Sequence, residues 1–161
     1  MKKSYKFYVM ASLLIGLLVA CGKESEPTGI ESVSVTDPVW ETDFEAASTQ
    51  AKKTSKLMLL NFTGSDWCGW CIRLHKEVFS QPEFKAYASE SLILVELDFP
   101  RGKEQDASIK AQNEALLQKY GIRGFPTILI LSPEGELIEK TGYQRGGAAE
   151  YVKHLKELIA Q

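Results

Sequence analysis

Residues 57–71 read LMLLNFTGSDWCGWC, and the architecture of the domain follows from them. The first part, Leu57–Phe62, is an almost continuous apolar run, which predicts a short strand buried on both faces of a sheet. A short polar loop then leads into a helix that we predict from Cys68 to Phe79. Cys71 follows one turn after the start of that helix. Two cysteines at this spacing can close a small disulfide ring at a strand-to-helix junction.

The two cysteines are predicted to have different roles. Unpaired backbone N–H groups and the dipole at a helix N-terminus stabilise a thiolate, which favours Cys68 as the attacking sulfur. Cys71, one turn inside the helix, is expected to be more shielded and to resolve the mixed disulfide that Cys68 forms. The same pair run in reverse would donate a disulfide, so these residues leave the direction of the reaction open.

Outside the motif, helical patterns alternate with short apolar strands, and a hairpin follows late in the chain. The predicted elements are a helix from Thr42 to Lys53, a short helix capped by Ser80, a strand over Leu92–Leu97, a helix over Asp106–Tyr120, strands over Thr127–Leu131 and Leu137–Thr141, and a helix over Ala148–Ala160. The helices that open at Thr42 and at Ser80 are predicted to begin at capping boxes. This alternation predicts an α/β sandwich around a mixed sheet.

Composition and charge exclude one class of function. The 161 residues carry a formal net charge of −2, and no basic run follows Lys6. Neutralising phosphates takes a concentration of Lys and Arg, so the sequence argues against a nucleic-acid partner.

The first twenty residues have the pattern of an export signal. A positive start ends at Lys6, and an apolar run follows over Phe7–Ala20. This run has 14 residues, whereas a helix needs roughly 20 to cross a bilayer. We therefore predict a secretory signal peptide over residues 1–20.

The end of this run, LVACG at residues 18–22, resembles the lipobox of bacterial lipoproteins. The resemblance implies cleavage before Cys21, which would carry the lipid, although an ordinary signal peptide with an incidental cysteine is the alternative. Residues 21–38 are then the lipidated cysteine and a polar, acidic, flexible tether. A single domain over residues 39–161 would follow.

Two separate motifs of this sequence resemble motifs of the thioredoxin superfamily. One is the Trp-Cys-Gly-x-Cys sequence of residues 67–71, and the other is YGIRGFPT at residues 120–127, with its proline about 55 residues after the second cysteine. The resemblance covers residues 39–161 and implies a thioredoxin fold, a central mixed β-sheet flanked by helices on both faces. Pro126 matches the cis-proline that faces the cysteine pair in this superfamily. We therefore expect the Phe125–Pro126 bond to be cis.

The resemblance also implies which residues form the site. The catalytic residues are Cys68, Cys71 and Pro126, and their chemistry needs no cofactor and no metal. Around them we expect a hydrophobic surface that docks the substrate, formed by Trp67, Gly69, Trp70 and Phe125. The middle of the motif is Gly-Trp where ordinary thioredoxin has Gly-Pro. Since this pair is a main control on redox potential, the potential of thioredoxin does not transfer.

A second departure from thioredoxin concerns the proton of the resolving cysteine. Thioredoxins keep a buried Asp beneath that cysteine, and the corresponding residue here is Asn61, which cannot take a proton. Glu96, inside the next predicted strand, is a candidate replacement in the proton relay. The alternative is that Glu96 reaches solvent from the end of its strand.

Two further features leave alternatives open. His75 lies four residues after Cys71, so Cys68, Cys71 and His75 would give a metallochaperone a set of ligands for copper or zinc. In addition, residues 102–117 lengthen the connection before the cis-proline by about ten residues relative to thioredoxin. Such a connection either selects a partner or is an extended surface helix without a specific role.

Together these features predict a lipid-anchored thiol–disulfide oxidoreductase on the outer face of a bacterial membrane. Its substrates would be cysteine pairs of other exported proteins, whose disulfides it reduces or isomerises. Because disulfides persist in that compartment, we expect a membrane electron-donor protein to keep its own pair reduced.

Overall fold

The computed structural model describes residues 37–160. The predicted signal peptide over residues 1–20, the predicted lipidation at Cys21 and nearly all of the predicted tether lie outside the described residues. Within the described range, no helix is long and apolar enough to cross a membrane.

Five strands form one sheet in the order β1-β3-β2-β4-β5. The strands are β1 (Trp40–Glu41), β2 (Leu57–Thr63), β3 (Leu92–Asp98), β4 (Thr127–Leu131) and β5 (Leu137–Thr141). Strand β3 pairs in parallel with β1 and β2, whereas β4 pairs antiparallel with β2 and β5. Strand β2, which leads to the two cysteines, therefore lies at the centre of a mixed sheet, as predicted.

Five helices cover the two faces of the sheet. They are α1 (Phe44–Thr54), α2 (Gly69–Leu74), α3 (Pro82–Ser91), α4 (Ala107–Lys119) and α5 (Gly147–Ile159), and α2 continues into a π-helical segment over His75–Phe79. The helices α2, α3 and α5 share one apolar core, and α1 and α4 share the other. The predicted arrangement of helices on both faces is confirmed.

Strand β2 shows why the sheet has two cores. Side chains alternate between the faces of a strand, so Leu59 packs into the core of α2, α3 and α5, whereas Met58, Leu60 and Phe62 pack into the core of α1 and α4. All four of these side chains are completely buried. Burial on both faces explains why this part of the sequence is an unbroken apolar run rather than an alternating one.

Two predicted helix starts are wrong. Helix α1 is capped by Asp43, not Thr42, because the Asp43 carboxylate accepts the backbone N–H of Ala46. Helix α3 begins at Pro82 without a side-chain cap, since the Ser80 hydroxyl instead donates to the carbonyl of Lys76. The backbone N–H of Ser80 donates to the carbonyl of His75 at 2.9 Å and closes a π-helical segment, so the helix predicted over residues 68–79 is α-helical only in its first part.

Candidate active site

The two cysteines of the motif form a disulfide bond at the start of α2, with a Cα–Cα distance of 5.2 Å. Cys68 is the N-cap residue of the helix, and its Sγ accepts the backbone N–H of Cys71 at 3.2 Å. The exposed fractions of the two residues are 6% and 4%, so in the disulfide form their burial hardly differs. The asymmetry expected between them therefore lies in the groups around each sulfur.

The loop that precedes β4 lies beside the cysteine motif. Its Phe125–Pro126 bond is cis, as predicted. The ring of Phe125 contacts the ring of Trp67 edge-on, with 5.8 Å between the ring centroids. Thr127 fixes the same loop by donating its hydroxyl to the carbonyl of Gly124 at 2.7 Å. The structure thus brings the predicted cis-proline loop and the cysteine motif together.

The two tryptophans of the motif have different surroundings. Trp67 is partly buried, and its indole N–H donates to the carbonyl of Phe99 at 2.8 Å. A Cβ atom at Gly64 would lie 2.5 Å from the indole ring, so only glycine fits beneath it. Trp70 is 51% exposed, and its outer position suits it to contact a partner. Gly69 is exposed too, and a Cβ atom there would meet nothing within 4 Å.

Trp70 adjoins a polar cluster on the surface of α2. The Arg73 guanidinium donates to the Glu77 carboxylate at 2.8 Å, and the Tyr143 hydroxyl donates to the other oxygen of that carboxylate at 2.6 Å. These two bonds hold the pKa of Glu77 below its usual value, the bond from Tyr143 being the larger cause. The Tyr143 ring lies 5.3 Å from the Trp70 ring, which connects the cluster to the motif.

A polar pocket of about 300 Å³ lies next to Cys71. The predicted relay residues Asn61 and Glu96 both line it, and they are paired across the parallel strands β2 and β3. The Asn61 Oδ1 atom is buried and has no hydrogen-bond partner among the described residues. The pocket therefore contains a buried hydrogen-bond acceptor that no described residue uses.

Glu96 is half-buried in this pocket. Its pKa is raised, chiefly because burial disfavours the charged carboxylate and also because the Asp98 carboxylate lies near it. Electrostatic interactions with His75 and Lys103 act in the opposite direction. Glu96 thus lines a pocket shared with Cys71, and its carboxyl group keeps a proton to higher pH than an ordinary Glu does.

The ligands of the metallochaperone alternative, Cys68, Cys71 and His75, are not arranged as a metal site. His75 is exposed and lines the pocket beside Cys71. Among residues 37–160, however, no group of three or more His, Cys, Asp or Glu side chains is arranged to hold a metal ion. The geometry consequently gives the metallochaperone alternative no support.

The sequence reasoning missed how firmly the loop before Cys68 is tied to the end of β3. The backbone N–H and the hydroxyl of Ser65 both donate to the Asp98 carboxylate, at 2.8 and 2.6 Å. The Asp66 carboxylate accepts the backbone N–H groups of Arg101 and Gly102, and these bonds lower its pKa. No side-chain pattern marks the Asp66 contacts in the sequence, because they are made to backbone N–H groups of a loop 35 and 36 residues away.

Comparison with known proteins identifies relatives along nearly the whole chain. A family model described as a thioredoxin-like domain matches residues 44–159. The chain is 32% identical to the disulfide bond reductase DsbH of Chlamydia pneumoniae, over 96% of this chain and 98% of that protein. It is 31% identical to the thioredoxin-related protein DsbJ of the same organism, over 83% of this chain but only 37% of DsbJ.

A solved structure of a DsbH oxidoreductase has the same fold. It matches with a TM-score of 0.78 at 30% sequence identity, covering 86% of this chain and 95% of that one. The predicted thioredoxin fold is thereby confirmed. With a family model over most of the chain and a disulfide at the start of α2, this protein belongs to the thioredoxin superfamily and is a thiol–disulfide oxidoreductase with the redox pair Cys68 and Cys71.

Proposed function

We propose that this protein reduces disulfide bonds of exported proteins in a bacterial cell envelope. The observation that carries the proposal is the position of Cys68, whose sulfur caps α2 and accepts the N–H of Cys71. A thiolate at that position is stabilised by the N–H group and by the helix dipole, which makes Cys68 the nucleophile. The direction, reduction, is supported by the nearly full-length similarity to a protein named as a disulfide bond reductase.

The proposed reaction starts from the dithiol form. The Cys68 thiolate attacks one sulfur of the substrate disulfide, forms a mixed disulfide and releases the first substrate thiolate. Cys71 then loses its proton, and its thiolate attacks the Cys68 sulfur and releases the second substrate thiolate. Both substrate thiolates take up protons. The substrate gains two electrons and two protons, and the protein ends in the disulfide form.

The proton of Cys71 is the difficult part of this reaction, because the residue is buried and its thiol must lose that proton before the sulfur can attack. We assign its removal to Glu96, which lines the same pocket and has a raised pKa. A pocket of about 300 Å³ has room for several water molecules, each of which occupies about 30 Å³ in the liquid. Water can therefore connect the thiol to the carboxylate, and the Asn61 oxygen can accept a hydrogen bond from it.

Pro126 and the residues around the motif are proposed to hold the substrate. The cis bond at Phe125–Pro126 presents the backbone of Phe125 next to the motif, where it can pair with an extended substrate chain. The exposed part of Trp70 and the open space at Gly69 leave room for that chain above the disulfide. Trp67 supports the arrangement from beneath rather than offering a free face.

The location and the electron source remain part of the proposal. A signal peptide over residues 1–20 and a lipid on Cys21 would anchor the chain to a membrane, and residues 22–38 would let the domain extend roughly 20–25 Å from it. A reductase in a compartment where disulfides persist needs an electron supply. We assign that supply to a membrane electron-donor protein, which would return the Cys68–Cys71 disulfide to the dithiol.

Two experiments test the two halves of the proposal. The protein should accelerate the reduction of insulin by dithiothreitol. The proposed direction would be contradicted if the protein oxidised a reduced test protein faster than it reduced insulin. For the anchor, bacteria that express the full chain are fed radiolabelled palmitate. The parent protein should carry label and Cys21→Ser should not, whereas equal labelling of both, or labelling of neither, would contradict lipidation at Cys21.

A further inference from the structure

Each tryptophan of the motif has an arginine beside its ring. The Arg101 Cζ atom lies 3.7 Å from the centre of the Trp67 ring, and the Arg73 Cζ atom lies 5.5 Å from the centre of the Trp70 ring. The first distance is that of a guanidinium stacked in contact with an aromatic face. Each of the two rings therefore lies against a positive charge.

The two arginines differ in whether their guanidinium groups already have a hydrogen-bonded partner. The Arg73 guanidinium is paired with the Glu77 carboxylate at 2.8 Å, so an acid of the same helix already occupies it. Within residues 37–160, the Arg101 guanidinium has no hydrogen bond to any group and no ion pair. Its side chain is exposed, and only its backbone N–H is bound, to Asp66. The N–H groups of the Arg101 side chain are free to bind a ligand.

The backbone around Arg101 is fixed rather than loose. The Asp66 carboxylate binds the N–H groups of Arg101 and Gly102, at 3.1 and 2.6 Å. A Cβ atom at Gly102 would lie only 3.2 Å from that carboxylate, so glycine permits the close approach. On the other side, the Trp67 indole N–H holds the carbonyl of Phe99. An arginine held in this way loses little conformational entropy when it binds a ligand.

The free guanidinium lies beside the path proposed for the substrate. Trp67, on which it stacks, directly precedes Cys68 and contacts the ring of Phe125, the residue before the cis-proline. Lys103, in the same loop, adds a second positive charge and reaches the Ser65 hydroxyl at 3.4 Å. The Asp66 carboxylate, which binds the backbone N–H of Arg101, has both of its oxygens bound to backbone N–H groups.

We propose that Arg101, stacked on Trp67, is a specificity residue that binds an acidic side chain of the substrate close to the cysteine under attack. This inference rests on the proposed reduction of protein disulfides. The preferred substrates would have an acidic residue near the cysteine that is attacked. A guanidinium with free N–H groups binds a carboxylate through two parallel hydrogen bonds. Because Trp67, on which Arg101 stacks, directly precedes Cys68, the acidic residue would stand near the substrate cysteine, and we place it within about two residues at about 3.3 Å per residue.

The test uses the reduced full-length protein and short peptides, each with one cysteine linked by a disulfide to neutral 4-thiopyridine. Attack on the peptide sulfur releases 4-thiopyridone, whose absorbance gives the second-order rate constant. The peptides carry Glu, Gln or Lys at one of the positions within two residues of the cysteine. We expect a position at which the Glu peptide reacts about fivefold faster than the Gln peptide, as for an exposed ion pair, and the Lys peptide slowest.

Two variants distinguish Arg101 from a general effect of charge. In Arg101→Gln, the rate constants of the Glu and Gln peptides should become nearly equal. Arg73→Gln removes a charge that Glu77 already pairs, so the ratio of these rate constants should stay at its parental value. Equal rates for all peptides with the parent protein, or an unchanged ratio in Arg101→Gln, would overturn the acidic subsite alone. No reaction with any peptide would contradict the proposed reductase function itself, so the two failures are distinguishable.

Discussion

Cys68 and Cys71 stand three residues apart and are buried to nearly the same extent, yet the groups around them have little in common. Trp67, next to Cys68 in the chain, contacts the Phe125 ring of the cis-proline loop and has the Arg101 guanidinium stacked on its face, and these groups form the Cys68 side. The Cys71 side faces a polar pocket with an unpaired amide oxygen and a carboxyl group of raised pKa. The difference indicates that the first sulfur meets the substrate and that the second depends on proton transfer.

The largest effect should come from the Cys68 side. Cys68→Ser removes the sulfur that caps α2, and a serine hydroxyl cannot form a disulfide with the substrate. We expect the reduction of insulin to fall to the rate without protein. Activity at the parental rate would show that the attacking sulfur is not Cys68 and would remove the basis of the comparison.

Changing the Cys71 side should stop the reaction at a later step. Cys71→Ser leaves Cys68 able to attack but removes the sulfur that releases the substrate. We expect a covalent adduct between Cys68 and the substrate, seen as a mass increase under non-reducing conditions and lost on addition of dithiothreitol. The double variant Cys68→Ser/Cys71→Ser is the control, and an adduct in that control would place the reactive group elsewhere.

A smaller and pH-dependent effect should come from Glu96. Glu96→Gln removes the group that accepts the Cys71 proton, and we expect resolution of the mixed disulfide to slow about tenfold at pH 7. This factor is smaller than the roughly hundredfold or greater contribution that is usual for a general acid or base. Because the pKa of Glu96 is raised, its carboxylate forms only as the pH rises through that value. The ratio of parental to variant rates should therefore grow with rising pH and approach one in acid.

The measurement for Glu96 is a stopped-flow trace of Trp fluorescence as the mixed disulfide resolves. Glu114→Gln, at an exposed position on α4, is the matched control and should behave like the parent protein at every pH. Equal slowing in both variants, or a ratio that does not change with pH, would mean that Glu96 takes no part in proton transfer.

The smallest effect concerns the support beneath the Cys68 side. An added methyl group in Gly64→Ala would lie 2.5 Å from the Trp67 ring, which the bond to Phe99 holds in place. We expect the free energy of unfolding to fall by about 1–3 kcal/mol, the usual cost of overpacking. Gly69→Ala is the control, since nothing lies within 4 Å of the new atom. Urea denaturation of both variants checks this, and equal stability would show that Trp67 moves freely.

The parts of the structure that the sequence predicts well are those in which local pattern and packing agree. The apolar run of β2 must be buried on both faces, and it is. The cis bond at Phe125–Pro126 follows from a motif with a fixed separation from the cysteines. Both features depend on residues that are close together in the sequence or belong to a recognisable motif.

The parts that the sequence does not predict depend on the backbone or on distant loops. The π-helical segment after Leu74 has the same apolar pattern as an α-helix and differs only in which carbonyl each N–H binds. The two-residue strand β1 is too short to show a pattern. The contacts of Asp66 join residues 35 positions apart through backbone N–H groups, which no side-chain pattern specifies. Arg101 therefore has no sequence signal of its own.

The most direct test of reduction as the function is the reduction potential of the Cys68–Cys71 pair. The full-length protein would be equilibrated in glutathione buffers of known ratio, with the fluorescence of Trp67 and Trp70 reporting the state of the pair. A reductase should give a value near that of thioredoxin, about −270 mV. A value near −120 mV, that of a strongly oxidising periplasmic protein, would contradict the account and mean that this protein donates disulfides.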